Sequence, residues 1–198
     1  MTDKTDQVEL YAQHLSEKVS RFQAILAATD FDEIVIAAGD SKMQFADDMA
    51  YPFVANPYFR EWVPLGKRHG SYLQISSSSD RPRLFLLCVE DIWHTAPQSL
   101  PAGFESGLEV VEYANLDELK KHLSGREQGT AYIAENNSLG VAPECWNPKS
   151  VTSQIDYQRR GKTAYEQDCV RQANRLAVPA HRAAYDAFMA GASELEIA

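Results

Sequence analysis

Asp47 and Asp48 stand side by side in FADDMAYPFVANPYFREWVPL, Phe45 to Leu65, a stretch holding six aromatics and three prolines. Adjacent carboxylates among aromatic faces suit an ammonium group: the acids supply charge, and the rings supply cation–π attraction and an apolar wall. Each proline removes an N–H and fixes φ, so the spacing predicts a stiff, irregular loop in place of a strand or helix. Such a loop has two uses. Its rings can plug the edge of the core, which is the commoner case, or it can wall a pocket for a cationic or amine-bearing ligand.

A second cluster lies in VEDIWHTAP, Val89 to Pro97, where Trp93 and His94 follow an apolar run. A tryptophan beyond a strand end covers the core or anchors an interface. Asp91 stands close by, but no nucleophile accompanies the group, so a catalytic pair is not indicated. The five histidines fall in no metal-binding frame and are expected on the surface. There is no glycine-rich phosphate loop and no nucleophile elbow. The sequence therefore names neither a catalytic residue nor a metal ligand.

The formal charge of -9, from 28 acidic and 19 basic residues, disfavours nucleic acid and anionic membranes as partners, since both attract lysine and arginine clusters. Cys88, Cys145 and Cys169 are odd in number and unpaired in spacing, which fits a reducing cytoplasm. The amino terminus is polar and acidic, and no apolar run approaches the ~18 residues of a membrane span. A soluble, unexported protein is expected.

The elements that must hold these residues can be read from periodicity. Val8, Tyr11, Leu15, Val19, Phe22 and Leu26 form one helical stripe, expected to pack on a sheet. EIVIAAG, Glu33 to Gly39, reads as a strand covered on both faces. SYLQIS and RLFLLCV, joined by the turn-forming Ser77 to Pro82, read as an antiparallel hairpin. LEVVEY, LDELKKHL and TAYIAE then give a strand, helix, strand order with at least one parallel pair. The sum is an α/β fold, a mixed sheet flanked by helices.

After VAPECWNPKS the chain turns almost wholly helical, as at a domain boundary. Thr163 and Glu166 form a capping box, followed by an apolar stripe from Tyr165 to Phe188, and Gly191 suits the position after a helix end. Pro179 interrupts the stripe, so a kink or break is expected near Ala177 to Pro179. Ser193 and Glu196 repeat the capping-box pattern only two residues before the last residue, which raises the expectation that the sequence is the front part of something longer.

DDMAYPFVANPYFREWVPL, VEDIWH and YQRRGKTAYEQDCVRQANRLAVPAHRAAYDAFMAGASELEI, in that order, resemble the amino-terminal part of the bacterial Xaa-Pro dipeptidases, the prolidase group that includes organophosphorus acid anhydrolases. The resemblance runs over essentially the whole chain. It implies a creatinase/prolidase-type α/β domain over residues 1–155, then, over 156–198, the linker and first helix of a pita-bread catalytic domain. It implies a homodimer acting on dipeptides that end in proline, with two divalent ions, manganese by expectation, held by ligands beyond Ala198. These lower the pKa of a bound water and clamp the scissile carbonyl. No metal ligand or catalytic residue carries over, so the 198 residues alone are expected to be inactive.

In such an enzyme this domain supports dimerisation and reaches toward the partner's active site. The resemblance assigns Asp48 and Trp93 to a wall around the dipeptide's ammonium, with Asp47, Tyr51, His94 and Trp62 beside them. Two departures stand out: Phe53-Val54-Ala55-Asn56 lacks the lysine common before this motif, and Pro179 replaces a small or polar residue. The alternative is a free-standing, non-catalytic α/β module for dimerisation or ligand binding.

Overall fold

A computed structural model describes residues 4–89, 98–123 and 129–197. The chain forms two compact units, Met1–Gly161 and Lys162–Ala198.

The first unit opens with α1, Lys4–Ala27, whose stripe buries Tyr11, Leu15, Val19, Phe22 and Leu26. Strands β1 (Glu33–Ala37), β2 (Tyr72–Ser76), β3 (Arg83–Leu87), β4 (Glu109–Tyr113) and β5 (Thr130–Ile133) make one sheet in the order β4-β3-β2-β1-β5. All five residues of β1 are buried: the apolar run Ile34 to Ala37 suits a strand flanked on both sides, and the Glu33 carboxylate at its start is covered with it. The hairpin β2–β3 is antiparallel, and β1 also runs antiparallel to β2. Two pairs are parallel, β1 with β5 and β3 with β4. The sheet is therefore mixed, and the helix α3, Leu116–Leu123, carries the chain from one edge strand to the other.

Alternation divides the sheet residues between two faces. Val35, Ala37, Tyr72, Phe85, Tyr113 and Tyr132 share one face with Leu119 of α3. Ile34, Ile36, Leu73, Ile75, Leu84 and Leu86 point the other way and are equally buried. Each such side chain contributes about 1.5–3 kcal/mol by leaving water. The helix α4, Lys149–Gln158, lies against α1 and buries Val151 and Ile155. Gly70, at φ +61°, leads into β2; a Cβ there would meet Leu87 Cδ2 at 2.8 Å, so both backbone and space require glycine.

The second unit is led by α5, Ala164–Met189. Its capping box is complete: Thr163 Oγ1 accepts the Glu166 N–H at 3.3 Å, and Glu166 Oε2 accepts the Thr163 N–H at 2.9 Å. Of the kink or break expected near Ala177 to Pro179, the break does not occur, since α5 runs through Pro179. Proline gives up one N–H bond and crowds the Arg175 carbonyl, a local loss that helix formers such as Leu176, Ala177 and Ala180 on either side outweigh. Gly191 has φ +90°, as a residue following a helix end should. The Ser193 pattern forms half a box: Glu196 Oε2 accepts from the Ser193 N–H at 2.8 Å and from its hydroxyl at 2.7 Å, ahead of the one-turn helix α6, Glu194–Ile197.

Candidate functional site

The Phe45 to Leu65 stretch divides into two parts with opposite fates. Beyond β1 the chain leaves at Ala38 and returns at Asn56, whose N–H donates to the Ala38 carbonyl at 2.9 Å. Inside this closed excursion a narrow finger forms. The Tyr51 N–H donates to the Lys42 carbonyl and the Gln44 N–H to the Met49 carbonyl, each at 2.9 Å, around a Met43–Ala50 bridge.

At the tip, Ala46 takes a left-handed φ of 58°. Asp47 Oδ1 accepts the Met49 N–H at 3.0 Å, closing the turn. That bond, and secondarily the interaction with Asp48, holds the Asp47 carboxyl below the ordinary carboxylate range. Asp47, Asp48 and Tyr51 are all exposed, and Phe45 is 98% exposed. At the base, Lys42 Nζ lies 2.8 Å from Glu135 Oε1, just past β5. A projecting turn with two carboxylates and uncovered rings can meet a cationic group presented by another molecule.

The second part corrects the expectation of an irregular loop. Asn56 Oδ1 accepts the Phe59 N–H at 3.0 Å and caps the short helix α2, Pro57–Arg60, with proline in its first turn. This arrangement was legible in Asn56-Pro57, an N-cap residue before a proline. Trp62 belongs to the core, not to a pocket wall. It is wholly buried, its carbonyl accepts the Tyr11 hydroxyl at 2.8 Å, and its ring meets Phe22 edge-on at 4.8 Å. A side chain with no exposed surface cannot line an opening. Trp93 and His94 lie outside the described residues.

One histidine also departs from expectation. His14 is buried, where its Nε2–H donates to the Glu61 carbonyl at 2.8 Å. Lys18, 1% exposed, forms an ion pair with Glu61. The amphipathic pattern of α1 hides both, since each occupies a polar-looking position that the chain after α2 comes to cover.

Two further features belong to the face under α3. The hydroxyls of Tyr72 and Tyr132 meet Ser138 Oγ at 3.3 and 3.0 Å, and that of Tyr113 donates to the Gly70 carbonyl. Burial pushes all three phenols upward, and the nearby Asp40 carboxylate adds to the effect. Beside them a cavity of about 690 Å³ opens over β1 and β5. Burial raises the Cys145 thiol in its wall, with the Glu144 carboxylate as a second cause. Among the described residues no three His, Cys, Asp or Glu side chains converge as a metal-binding group.

Residues 9–157 match the family described as Xaa-Pro dipeptidase, N-terminal domain. The chain is 39% identical over 191 residues to the Xaa-Pro dipeptidase of Pseudoalteromonas atlantica, covering 96% of this chain and 43% of that protein. It is 36% identical over 195 residues to that of Erwinia tasmaniensis, covering 96% and 44%. The chain thus spans less than half the length of the curated relatives it matches. A histidine-to-alanine variant of Escherichia coli aminopeptidase P superposes with a TM-score of 0.51 at 18% identity, covering 87% of this chain and 44% of that one. The zinc-substituted enzyme with bound product gives 0.51 at 17% identity and the same coverage. These likenesses carry the fold, the mixed sheet flanked by helices.

Proposed function

The chain belongs to the family of Xaa-Pro dipeptidase amino-terminal domains, and from that premise we propose that it serves a metal-dependent hydrolase of dipeptides ending in proline. In this reading residues 1–155 are the amino-terminal domain, and residues 156–198 are the linker and first helix of the catalytic domain. The enzyme is a cytoplasmic homodimer. The observation that carries the reading is the match to curated dipeptidases over nearly the whole chain. No helix among the described residues is long and apolar enough to cross a membrane.

The chain's own contribution is recognition. Asp48, exposed at the finger tip, meets the ammonium of a dipeptide in the partner subunit's active site, while Asp47 holds the turn that presents it. Tyr51 supplies a wall, and Trp93 and His94 complete it. A carboxylate placed for a free amino end admits a dipeptide and rejects a longer chain, whose amide nitrogen carries no charge there. Two divalent ions, manganese by expectation, activate water in such enzymes. In this reading the metals belong to the catalytic domain, and the 198 residues alone do not turn over substrate.

The test joins this chain to the catalytic domain of the Pseudoalteromonas atlantica relative and measures manganese-dependent cleavage of a Xaa-Pro dipeptide. Activity is expected from the joined protein and not from the 198 residues. Asp48→Asn should raise KM about tenfold or more, as loss of a charged hydrogen bond does. Turnover by the shorter chain, or an unchanged KM, would overturn the reading. The second reading, a free-standing ligand-binding or dimerisation module, draws on the cavity under α3 and is favoured if the joined protein folds but hydrolyses nothing.

A further inference from the structure

The finger carries one large side chain that its own fold does not use. Phe45 is 98% exposed, more than any other large apolar residue described. A phenyl ring in water adds nothing to the stability of the domain, since apolar surface stabilises only when it is covered. The backbone beneath the ring is nonetheless ordered. The Asp47 N–H donates to the Gln44 carbonyl at 3.4 Å, Asp47 Oδ1 accepts the Met49 N–H at 3.0 Å, and Ala46 between them holds the left-handed φ of 58° that the turn needs. Lys42–Tyr51, Met43–Ala50 and Gln44–Met49 pair along the finger, so the next pair in register, across the tip, is Phe45 with Asp48.

In a dipeptide the ammonium and the first side chain leave the same α-carbon. A substrate whose ammonium meets Asp48 therefore presents the side chain of its first residue, and not its proline, to the position beside Asp48. Phe45 holds that position. Its ring offers no hydrogen-bond partner, so a polar side chain would lose water there without replacement, whereas an aliphatic or aromatic one covers the ring and is covered by it. On the dipeptidase reading, on which this rests, we propose that Phe45 is a specificity-determining residue: its ring packs on the first side chain of the dipeptide and selects large apolar ones, such as leucine and phenylalanine, over glycine. Asp48 then fixes the charged end common to every substrate, and Phe45 distinguishes one substrate from another.

The test uses this chain joined to the catalytic domain of the Pseudoalteromonas atlantica relative, compares kcat/KM for Leu-Pro, Phe-Pro and Gly-Pro, and follows the oligomer by sedimentation. Phe45→Ala changes an exposed side chain and leaves the fold intact. It should lower kcat/KM for Leu-Pro and Phe-Pro about tenfold or more, as loss of an apolar contact with substrate does, and leave Gly-Pro within about twofold. Phe45→Leu should keep most of the activity on Leu-Pro. Asp48→Asn should weaken all three substrates alike, because each brings an ammonium. An equal loss for the three substrates in Phe45→Ala, no loss for any, or a loss that accompanies dissociation of the oligomer would overturn the proposal and leave the dipeptidase reading standing. Failure of the joined protein to hydrolyse any dipeptide, or an Asp48→Asn variant without effect, would remove that reading and this proposal with it.

Discussion

Lys18 Nζ lies 2.9 Å from Glu61 Oε1, with their side chains 2% and 7% exposed, and Arg159 Nε meets the other carboxylate oxygen at 2.9 Å. One carboxylate thus joins α1, the chain after α2 and α4. The Lys18 ammonium also stands 5.5 Å from the centres of the Phe22 and Trp62 rings, so it has left water for aromatic faces and the Glu61 carboxylate. Removing that carboxylate takes a counter-charge from a buried cation. Glu61→Ala should cost about 3–5 kcal/mol in urea unfolding. Arg159→Ala should cost less, because Arg159 is 33% exposed and water can replace it. Equal losses, or none, would show that the pair is not an anchor.

The turn that presents Asp48 should depend on pH in a defined direction. The Asp47 carboxyl titrates below its ordinary value of 3.8, chiefly because the ionised form accepts the Met49 N–H and secondarily because of Asp48. A depressed folded value means that the stabilisation is complete above the ordinary range and is lost as pH falls through the lowered value. The Met49 amide resonance should follow that titration and show no step near neutrality. In Asp47→Ala the acid-range step should vanish and the Met49 amide should exchange faster. An unchanged Met49 amide would remove Asp47 from the turn.

Alkali should act through the tyrosines. Tyr113 and Tyr132 are raised from the ordinary value of 10.0, first by burial and then by neighbouring phenols and Asp40, with the Ser138 hydrogen bond opposing this for Tyr132. The unfolded chain ionises these groups first, so their contribution is whole below the ordinary value and declines as pH rises above it. Tyrosinate absorbance should therefore show a late component that appears together with unfolding. Tyr113→Phe removes the bond to the Gly70 carbonyl along with one such phenol, so it should shrink that component while lowering stability at neutral pH. A single transition for all tyrosines at the ordinary value would contradict the burial.

Two substitutions on α5 should have opposite signs. Thr163→Ala removes the acceptor for the Glu166 N–H and should cost about 1 kcal/mol. Pro179→Ala restores an N–H to a helix that already runs through the site, and should stabilise α5 by up to about 3 kcal/mol. Helix content under thermal unfolding measures both. A loss from Pro179→Ala would mean that the proline serves a contact rather than interrupting a ladder.

Much of the fold was legible because periodicity is a local property. The stripe of α1, the buried run of β1, the β2–β3 hairpin and the capping box at Thr163 each follow from residues a few positions apart. The candidate site was only half legible. Asp47 and Asp48 announce themselves by charge, yet nothing near Trp62 distinguishes a ring under α1 from one in solvent, and the six aromatics of the segment look alike in sequence. The cavity was invisible, since Glu33, Lys120 and Val141 come from three separated elements.

By itself the sequence determined the alternation of strands and helices, the capped start of α5 and the acidic, aromatic character of the segment after β1, because these depend on composition, backbone periodicity and local hydrogen bonds. Only the tertiary structure decided that β4 and β5 occupy opposite edges, that His14 and Lys18 lie buried, and that Trp62 belongs to the core. Long-range packing settles such questions. Whether a side chain meets water or another part of the chain depends on segments far away in sequence, and the free energy of that choice exceeds any local preference.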